Sequence, residues 1–295
     1  MNSSIEATLQ KDYRHCQRVI KQQSKSFYYA FSQLPKEKAQ AVYAIYAFCR
    51  RADDTVDEEK SRMQQQSSLN QLEEELRQFE MGKTPDSPVW RALRDVFNRY
   101  PMNIRPFYDQ LRGQRMDIDF AVPRTLEELE TYSYYVAGTV GLMLLPILAA
   151  KAGKEAESSA VRLGTAMQLT NILRDVGGDL KENQRLYLPI SICKQENCSV
   201  EKLLNGQPDA AFIRVWERLA KRAETLYEQF KQDIYLYDEE SRLPVLAAAH
   251  IYRGILNAVR KNQYNCLDQR NAVSFMEKKD IYQEAKDFLK QINAV

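Results

Sequence analysis

The sequence predicts an all-α fold, and three observations carry that expectation. Apolar residues recur three and four positions apart along almost the whole chain, the spacing that lines one face of a helix. No stretch alternates apolar and polar residues as a half-buried strand does. Ten glycines and ten prolines are few for 295 residues, which leaves little material for turns.

The elements follow in order. Phe27 and Phe31, four apart, share a face of an early helical turn. Val42, Ile45, Tyr46 and Cys49 mark a buried helix that runs into "RRADDTVDEEK" (50–60). Leu69, Leu72, Leu76 and Phe79, set among Gln, Glu and Arg, mark an outer helix. Further helices are expected at about 88–99, 103–115, 125–150, 156–180, 208–235, 241–263 and 277–293. Breaks fall at "GKTPDSP" (82–88), around Pro101, at "DFAVPRT" (119–125), and from about 181 to 208, where Pro189, Gly206 and Pro208 interrupt the pattern. With no fixed repeat and no interdomain linker, residues 1–295 read as a single helical-bundle domain.

Composition removes several function classes. A net charge of +2, with Lys and Arg scattered among Asp and Glu, gives no basic footprint for a nucleic-acid partner. The N-terminus carries Glu6 and Asp12 and lacks the apolar core of a signal peptide, so a cytoplasmic location is expected. Five widely spread cysteines fit a reducing compartment, and two histidines without a CxxC pair argue against zinc. The apolar run "VAGTVGLMLLPILAA" (136–150) contains Pro146 and falls short of the ~20 residues of a bilayer span, so it is read as core or pocket wall.

Two aspartate clusters remain to be explained. Asp53 and Asp57 project from one helix face, with Arg50 one turn earlier. In "AMQLTNILRDVGGD" (166–179), Asn171, Asp175 and Asp179 form a second line at the same spacing, with Gln168 a turn before, inside a segment rich in Leu, Ile, Met and Val. If the two helices face each other across a cavity, five oxygen ligands converge, and like charges in apolar surroundings require a neutralising cation. Hard oxygen ligands with open positions suit Mg²⁺, which favours one or two carboxylates plus water and substrate phosphate. The competing readings are a solvated helix end for the first cluster, which Glu58, Glu59 and Lys60 prolong, and a buried structural network for the second.

"KSFYYAFSQLP" (25–35), "AIYAFCRRADD" (44–54), "DDTVD" (53–57), "YVAGTVG" (135–141) and "NILRDVGGDLKENQRLYLP" (171–189) together resemble the squalene/phytoene synthase family, in the order that family has them and over about residues 13–265. Within it the chain most resembles the bacterial dehydrosqualene (diapophytoene) synthases. The resemblance implies an isoprenoid synthase fold around a central apolar cavity. It also implies head-to-head condensation of two prenyl diphosphates on two or three Mg²⁺ ions, through a cyclopropylcarbinyl intermediate. It makes Asp53, Asp57, Asn171, Asp175 and Asp179 the Mg²⁺-diphosphate ligands. Ser24, Ser26, Arg50, Gln168, Arg174 and Arg185 match diphosphate-facing residues, and Tyr46, Tyr132, Tyr187 and Tyr252 match tyrosines near the reacting carbons. Phe27, Phe31, Val136, Ala137, Gly138 and Gly141 match the pocket wall, although aromatic residues at helical spacing are also ordinary core. Gln23 stands where close relatives often carry a histidine, Gly178 replaces an acidic residue, and the segment holding Lys278 and Lys279 matches a basic region poorly.

A floor made by Phe27 and Phe31 would stop a 15-carbon chain, so farnesyl diphosphate is the expected substrate and dehydrosqualene the expected product. "GQRMDID" (113–119) is closer to squalene and phytoene synthases, which keeps an NADPH-dependent squalene synthase and a geranylgeranyl-using phytoene synthase as alternatives. Head-to-tail elongases and terpene cyclases also use Asp-rich helices but lack "NQRLYLP". A non-catalytic prenyl-lipid carrier would be expected to lose aspartates that this chain keeps. Peripheral membrane contact for product release accompanies the reading.

Overall fold

Fourteen α-helices and no strand are found in the computed structural model, which describes residues 2–57, 61–204, 206 and 208–293, with side chains from Glu6 to Ile292 within those ranges. Glu58, Glu59 and Lys60, which prolong the first acidic run, lie outside the described residues. The chain begins with α1 (Asn2–Gln23), α2 (Lys25–Phe31), α3 (Lys36–Asp57), α4 (Arg62–Glu80), α5 (Pro88–Arg99) and α6 (Arg105–Ile118). Next, α7 (Leu126–Ser133) passes through a π-helical turn, Tyr134–Gly138, into α8 (Thr139–Leu148). It continues with α9 (Lys154–Glu182), α10 (Ile190–Gln195), α11 (Val200–Leu204), α12 (Ala210–Gln232), α13 (Glu239–Lys261) and α14 (Phe275–Asn293).

Local chemistry sets the boundaries. Ser61, Ser87, Thr125 and Asp209 cap α4, α5, α7 and α12 by accepting the N–H three residues on, and Pro88 opens α5, where a missing N–H costs nothing. Gly82, at φ +87°, ends α4, and the N–H of Lys83 reaches the Gln78 carbonyl at 2.9 Å, so the break at 82–88 is a stop signal followed by a start signal. Three features depart from the sequence pattern, the first being α1, a 22-residue helix ahead of the first element expected. The helix expected over 125–150 is interrupted by the π turn, and the connection expected over 181–208 holds two short helices.

The chain divides into two compact units: residues 1–119, 139–157 and 235–245 in the first, and 120–138, 158–234 and 246–295 in the second. In the first, α3 packs on α1, α5, α6 and α8. Its core is aromatic: the Phe48 ring lies 5.6 Å from Trp90 and 5.0 Å from Phe107, and Trp90 lies 5.1 Å from Phe79. All four are essentially without exposed surface, each contributing roughly 2–3 kcal/mol by burial. In the second unit, α12 buries Phe212, Trp216, Leu219, Ala223 and Phe230, and the Trp216 indole N–H donates to the Leu173 carbonyl of α9 at 3.0 Å. That bond fixes α9 one residue before Arg174 and Asp175. The stretch Leu126–Leu148 is long and apolar enough to cross a bilayer by length and hydropathy alone, but half of it is buried within the protein and the π turn interrupts it.

Candidate active site

The first cluster occupies the C-terminal turns of α3. A helix end carries partial negative charge and normally attracts cations, yet the last turn of α3 holds no basic residue and two aspartates, Asp54 and Asp57, with Asp53 just before it. Local stability does not explain that composition. Asp53 accepts a hydrogen bond from the Gln114 amide of α6 at 2.7 Å, and buried Asp117 adds a further negative charge from the same helix. Burial first, then the charge of Asp57, pushes the Asp53 carboxyl up to about 8; Arg50 opposes this, while Asp54 and Asp117 add to it. Although part of Asp53 is still exposed, its surroundings act as those of a buried acid. The Arg50 guanidinium pairs with Asp54 at 2.5 Å, while its Nε is buried with no hydrogen-bond partner. Burial would lower its pKa, and Asp54, Asp53 and Asp57 together raise it.

Several predicted residues lie elsewhere in the same unit. Ser24 caps α2 by accepting from the Phe27 N–H at 3.4 Å, which accounts for part of its role without a ligand. Ser26 lies in the first turn of α2 and Gly141 within α8. The Phe27 ring stands 5.0 Å from Phe31 and 6.0 Å from Tyr46, so these three form one aromatic wall. Gln23, the last residue of α1, is exposed.

The second cluster lies along α9. Leu169, Ile172, Leu173 and Val176 are buried, while Gln168, Asn171, Arg174, Asp175 and Asp179 keep some exposure, the polar stripe the spacing implied. Asp175 is clamped: Arg174 donates to both carboxylate oxygens, Nε at 2.9 Å, and Arg270 approaches Oδ1 at 3.3 Å. Burial works against the charge of Arg174, but its bonds to Asp175 outweigh that and raise its pKa. Asn171 donates its amide to Gln168 at 3.4 Å, which leaves Asn171 Oδ1 buried with no hydrogen-bond partner. After α9 the chain folds back so that the Arg185 N–H bonds the Asp179 carbonyl at 2.9 Å.

Close approach explains one glycine of the "GG" pair and not the other. A Cβ on Gly177 would lie 1.9 Å from the Leu267 carbonyl oxygen, and the Gly177 N–H bonds the Cys266 carbonyl at 3.0 Å. A Cβ on Gly178 would meet nothing within 4 Å. The segment around Leu267 is thereby laid against α9, and Lys181 ties it down through the Leu267 carbonyl at 3.0 Å and Asp268. Between them opens a cleft of about 480 Å³ lined in part by Arg174, Asp175, Asp179, Lys181 and Arg270.

The second unit has its own aromatic group. Tyr132 and Tyr187 stack with centroids 5.0 Å apart and hydroxyls 3.3 Å apart, and Phe120 meets Tyr187 edge-on at 5.1 Å. Tyr252 lies on α13 and is partly exposed. Val136, Ala137 and Gly138 belong to the π turn, which α9 approaches so closely that a Cβ on Gly164 would lie 2.3 Å from the Ala137 carbonyl oxygen. π turns recur at functional sites because they re-aim side chains within a helix.

Sequence reasoning did not single out Gln114 or Asp117 beside Asp53, nor Arg270 and Lys181 beside Asp175. No periodicity marks Arg270, whose place depends on the backbone approach at Gly177. Among the described residues no group of three or more His, Cys, Asp and Glu forms a ready metal cage. Carboxylate and carboxamide oxygens suit a hard cation, and the orphaned Asn171 oxygen fits one.

Comparison with known proteins agrees with this chemistry. The sequence model of the family described as squalene/phytoene synthase matches residues 20–277. A 4,4'-diapophytoene synthase of Staphylococcus haemolyticus is 36% identical over 95% of this chain and 98% of its own. A 15-cis-phytoene synthase of Synechocystis sp. is 35% identical over 90% of this chain and 81% of its own. A crystal structure of a dehydrosqualene synthase with bound ligand is similar at TM-score 0.91 and 48% identity, over 96% of this chain and 98% of that one.

Proposed function

The chain belongs to the squalene/phytoene synthase family, and we propose that it joins two farnesyl diphosphates head to head to give dehydrosqualene. Family membership makes it a prenyltransferase of isoprenoid biosynthesis and a Mg²⁺-dependent diphosphate enzyme. The observation that carries the metal assignment is the Asn171 side-chain oxygen, buried without a partner and in line with Asp175 and Asp179. Asp53 and Asp57 on α3, and Asn171, Asp175 and Asp179 on α9, would hold two or three ions. When bound, the ions neutralise the departing diphosphate and so help the allylic C–O bond break.

The remaining roles fall to this chain's own residues. Arg50, with an unpaired buried N–H, and Arg174 and Arg185 supply guanidinium forks that match phosphate oxygens, with Ser24, Ser26 and Gln168 as neutral donors. Arg174 is free to turn to phosphate once Asp175 serves as a ligand. Tyr46, Tyr132, Tyr187 and Tyr252 present aromatic faces or dipoles to the cations formed after ionisation, which the second substrate's double bond captures as a cyclopropylcarbinyl diphosphate before rearrangement. Phe27, Phe31 and Gly141, like Val136, Ala137 and Gly138, would face a prenyl chain and keep water from the cations. The whole chain, residues 1–295, serves this one activity.

The choice of farnesyl diphosphate is supported by the Phe27–Phe31–Tyr46 wall and by the diapophytoene and dehydrosqualene synthases among the relatives. A phytoene synthase reading has its own support in the 35% identity to a 15-cis-phytoene synthase. Purified protein incubated with farnesyl or geranylgeranyl diphosphate, each with and without NADPH, should give a 30-carbon hydrocarbon of unchanged mass in both farnesyl reactions. A product heavier by two hydrogens with NADPH would mean squalene synthase, and a dominant 40-carbon product phytoene synthase. Because a 30-carbon hydrocarbon needs an apolar acceptor, we place the working enzyme in the cytoplasm, in peripheral contact with the membrane's inner face.

A further inference from the structure

Away from the aspartate clusters, α10 ends in a distinctive cap. Glu196 is the C-cap, Asn197 takes φ +57°, the Asn197 N–H bonds the Lys194 carbonyl at 3.2 Å, and the Cys198 N–H bonds the Cys193 carbonyl at 2.9 Å. This is the Schellman arrangement, in which the side chain two places after the cap meets the one three places inside the helix. In most proteins that contact is apolar; here both positions are cysteine.

The cap sets the two thiols side by side and both are partly exposed, while Cys16, Cys49 and Cys266 are buried. The turn is also held in place. Arg214 donates to the Glu196 carboxylate at 2.8 Å and to its carbonyl at 3.1 Å, and Arg218 to the Gln195 side chain at 2.5 Å. The Cys193 thiol donates to the Cys198 sulfur, and that bond holds Cys198 below the usual thiol range against the opposing effect of burial. The same bond, with burial, pushes Cys193 up.

We propose that Cys193 and Cys198 are an oxidisable dithiol, which a hydroperoxide converts to an intramolecular disulfide closing the cap of α10. The Cys198 thiolate attacks the peroxide oxygen and forms a sulfenic acid while the alcohol or water leaves. Cys193 sulfur then attacks the sulfenic sulfur, the S–S bond forms, and the proton and hydroxyl depart as water. Two thiols and one hydroperoxide give one disulfide, one alcohol or water, and one water, so the balance is complete.

Trypsin cuts after Lys194, which lies between the two cysteines, so they leave on separate peptides that only this disulfide holds together. Native protein titrated with an aromatic disulfide reagent should show two accessible thiols, and after brief treatment with hydrogen peroxide none. The intact mass should fall by two hydrogens, the linked peptide pair should appear, and dithiothreitol should reverse every change. Cys193→Ser should stop at a sulfenic acid on Cys198, one oxygen heavier, and Cys198→Ser should leave Cys193 unreacted over the same time. Retention of both thiols, oxygen addition to wild type without the linked pair, or linkage to any other cysteine would overturn the proposal.

Discussion

The two aspartate clusters share a residue type and a four-residue spacing, yet the protein surrounds them in opposite ways. Asp53 meets a carboxamide from Gln114 and the charges of Asp57, Asp54 and Asp117, and its carboxyl is pushed up to about 8. Asp175 meets a guanidinium fork from Arg174 and a second guanidinium from Arg270. Around Asp53 carboxyl groups outnumber guanidinium groups, whereas at Asp175 two guanidinium groups meet one carboxylate. A motif's spacing says which side chains share a face; it does not say what faces them.

The largest effect should come from removing a ligand on either side. Asp53→Ala and Asp175→Ala should each lower kcat with farnesyl diphosphate by about 10³ or more, with helicity by circular dichroism unchanged. If a folded variant turns over at close to the wild-type rate, that cluster is structural and the parallel between the two fails.

Next in size are the adjacent glycines of α9, which separate packing from chemistry in the second cluster. Gly177→Ala should cost about 3 kcal/mol or more in urea unfolding, because its Cβ would lie 1.9 Å from the Leu267 carbonyl oxygen. Gly178→Ala has open space and should stabilise by about 0.5–1 kcal/mol. Equal effects from both would show that the segment around Leu267 does not lie against α9.

Exchanging each aspartate for asparagine tests the electrostatic contrast directly. Asp175→Asn leaves Arg174, whose side chain is only 13% exposed, without its counter-charge, and should destabilise the metal-free protein by about 1–3 kcal/mol. Asp53→Asn should do the opposite at neutral pH. A carboxyl raised from 3.8 to about 8 keeps its proton in the folded state while the unfolded chain has lost it, so its contribution to stability is full below pH 3.8 and lost as pH rises through about 8. Asparagine keeps the acceptor for Gln114 and should flatten that decline across pH 5–8 in thermal melts of metal-free protein. A pH profile identical to wild type would contradict the charge excess assigned to Asp53.

The smallest expected signal is cooperative. Because Mg²⁺ and diphosphate would each complete the other's binding site, either alone should shift the melting temperature little, and the two together by more than the sum. Additive shifts would mean independent sites.

Much of this was legible before any coordinates. The face shared by Phe27 and Phe31, the polar stripe Gln168–Asn171–Asp175 and the stop at Gly82 are set by helical periodicity and by backbone conformations that few residues adopt. The π turn at Tyr134–Gly138 was not legible, since its apolar residues read equally well as ordinary helix. Nor were the partners of the carboxylates. Gln114 lies 61 residues from Asp53, and Arg270 reaches Asp175 through a backbone approach that only the contact at Gly177 reveals.

By itself the sequence determined that the chain is helical, roughly where α5, α6, α9, α12, α13 and α14 begin and end, and which oxygen ligands share a helix face. Those properties depend on neighbours within a few residues, whose geometry the backbone fixes. Only the tertiary structure decided that burial and neighbouring carboxyls raise Asp53 while Asp175 is clamped by two arginines, and that Gly177 is pressed against Leu267 while Gly178 faces open space. Charge and close packing act through space, between segments that the order of residues leaves far apart.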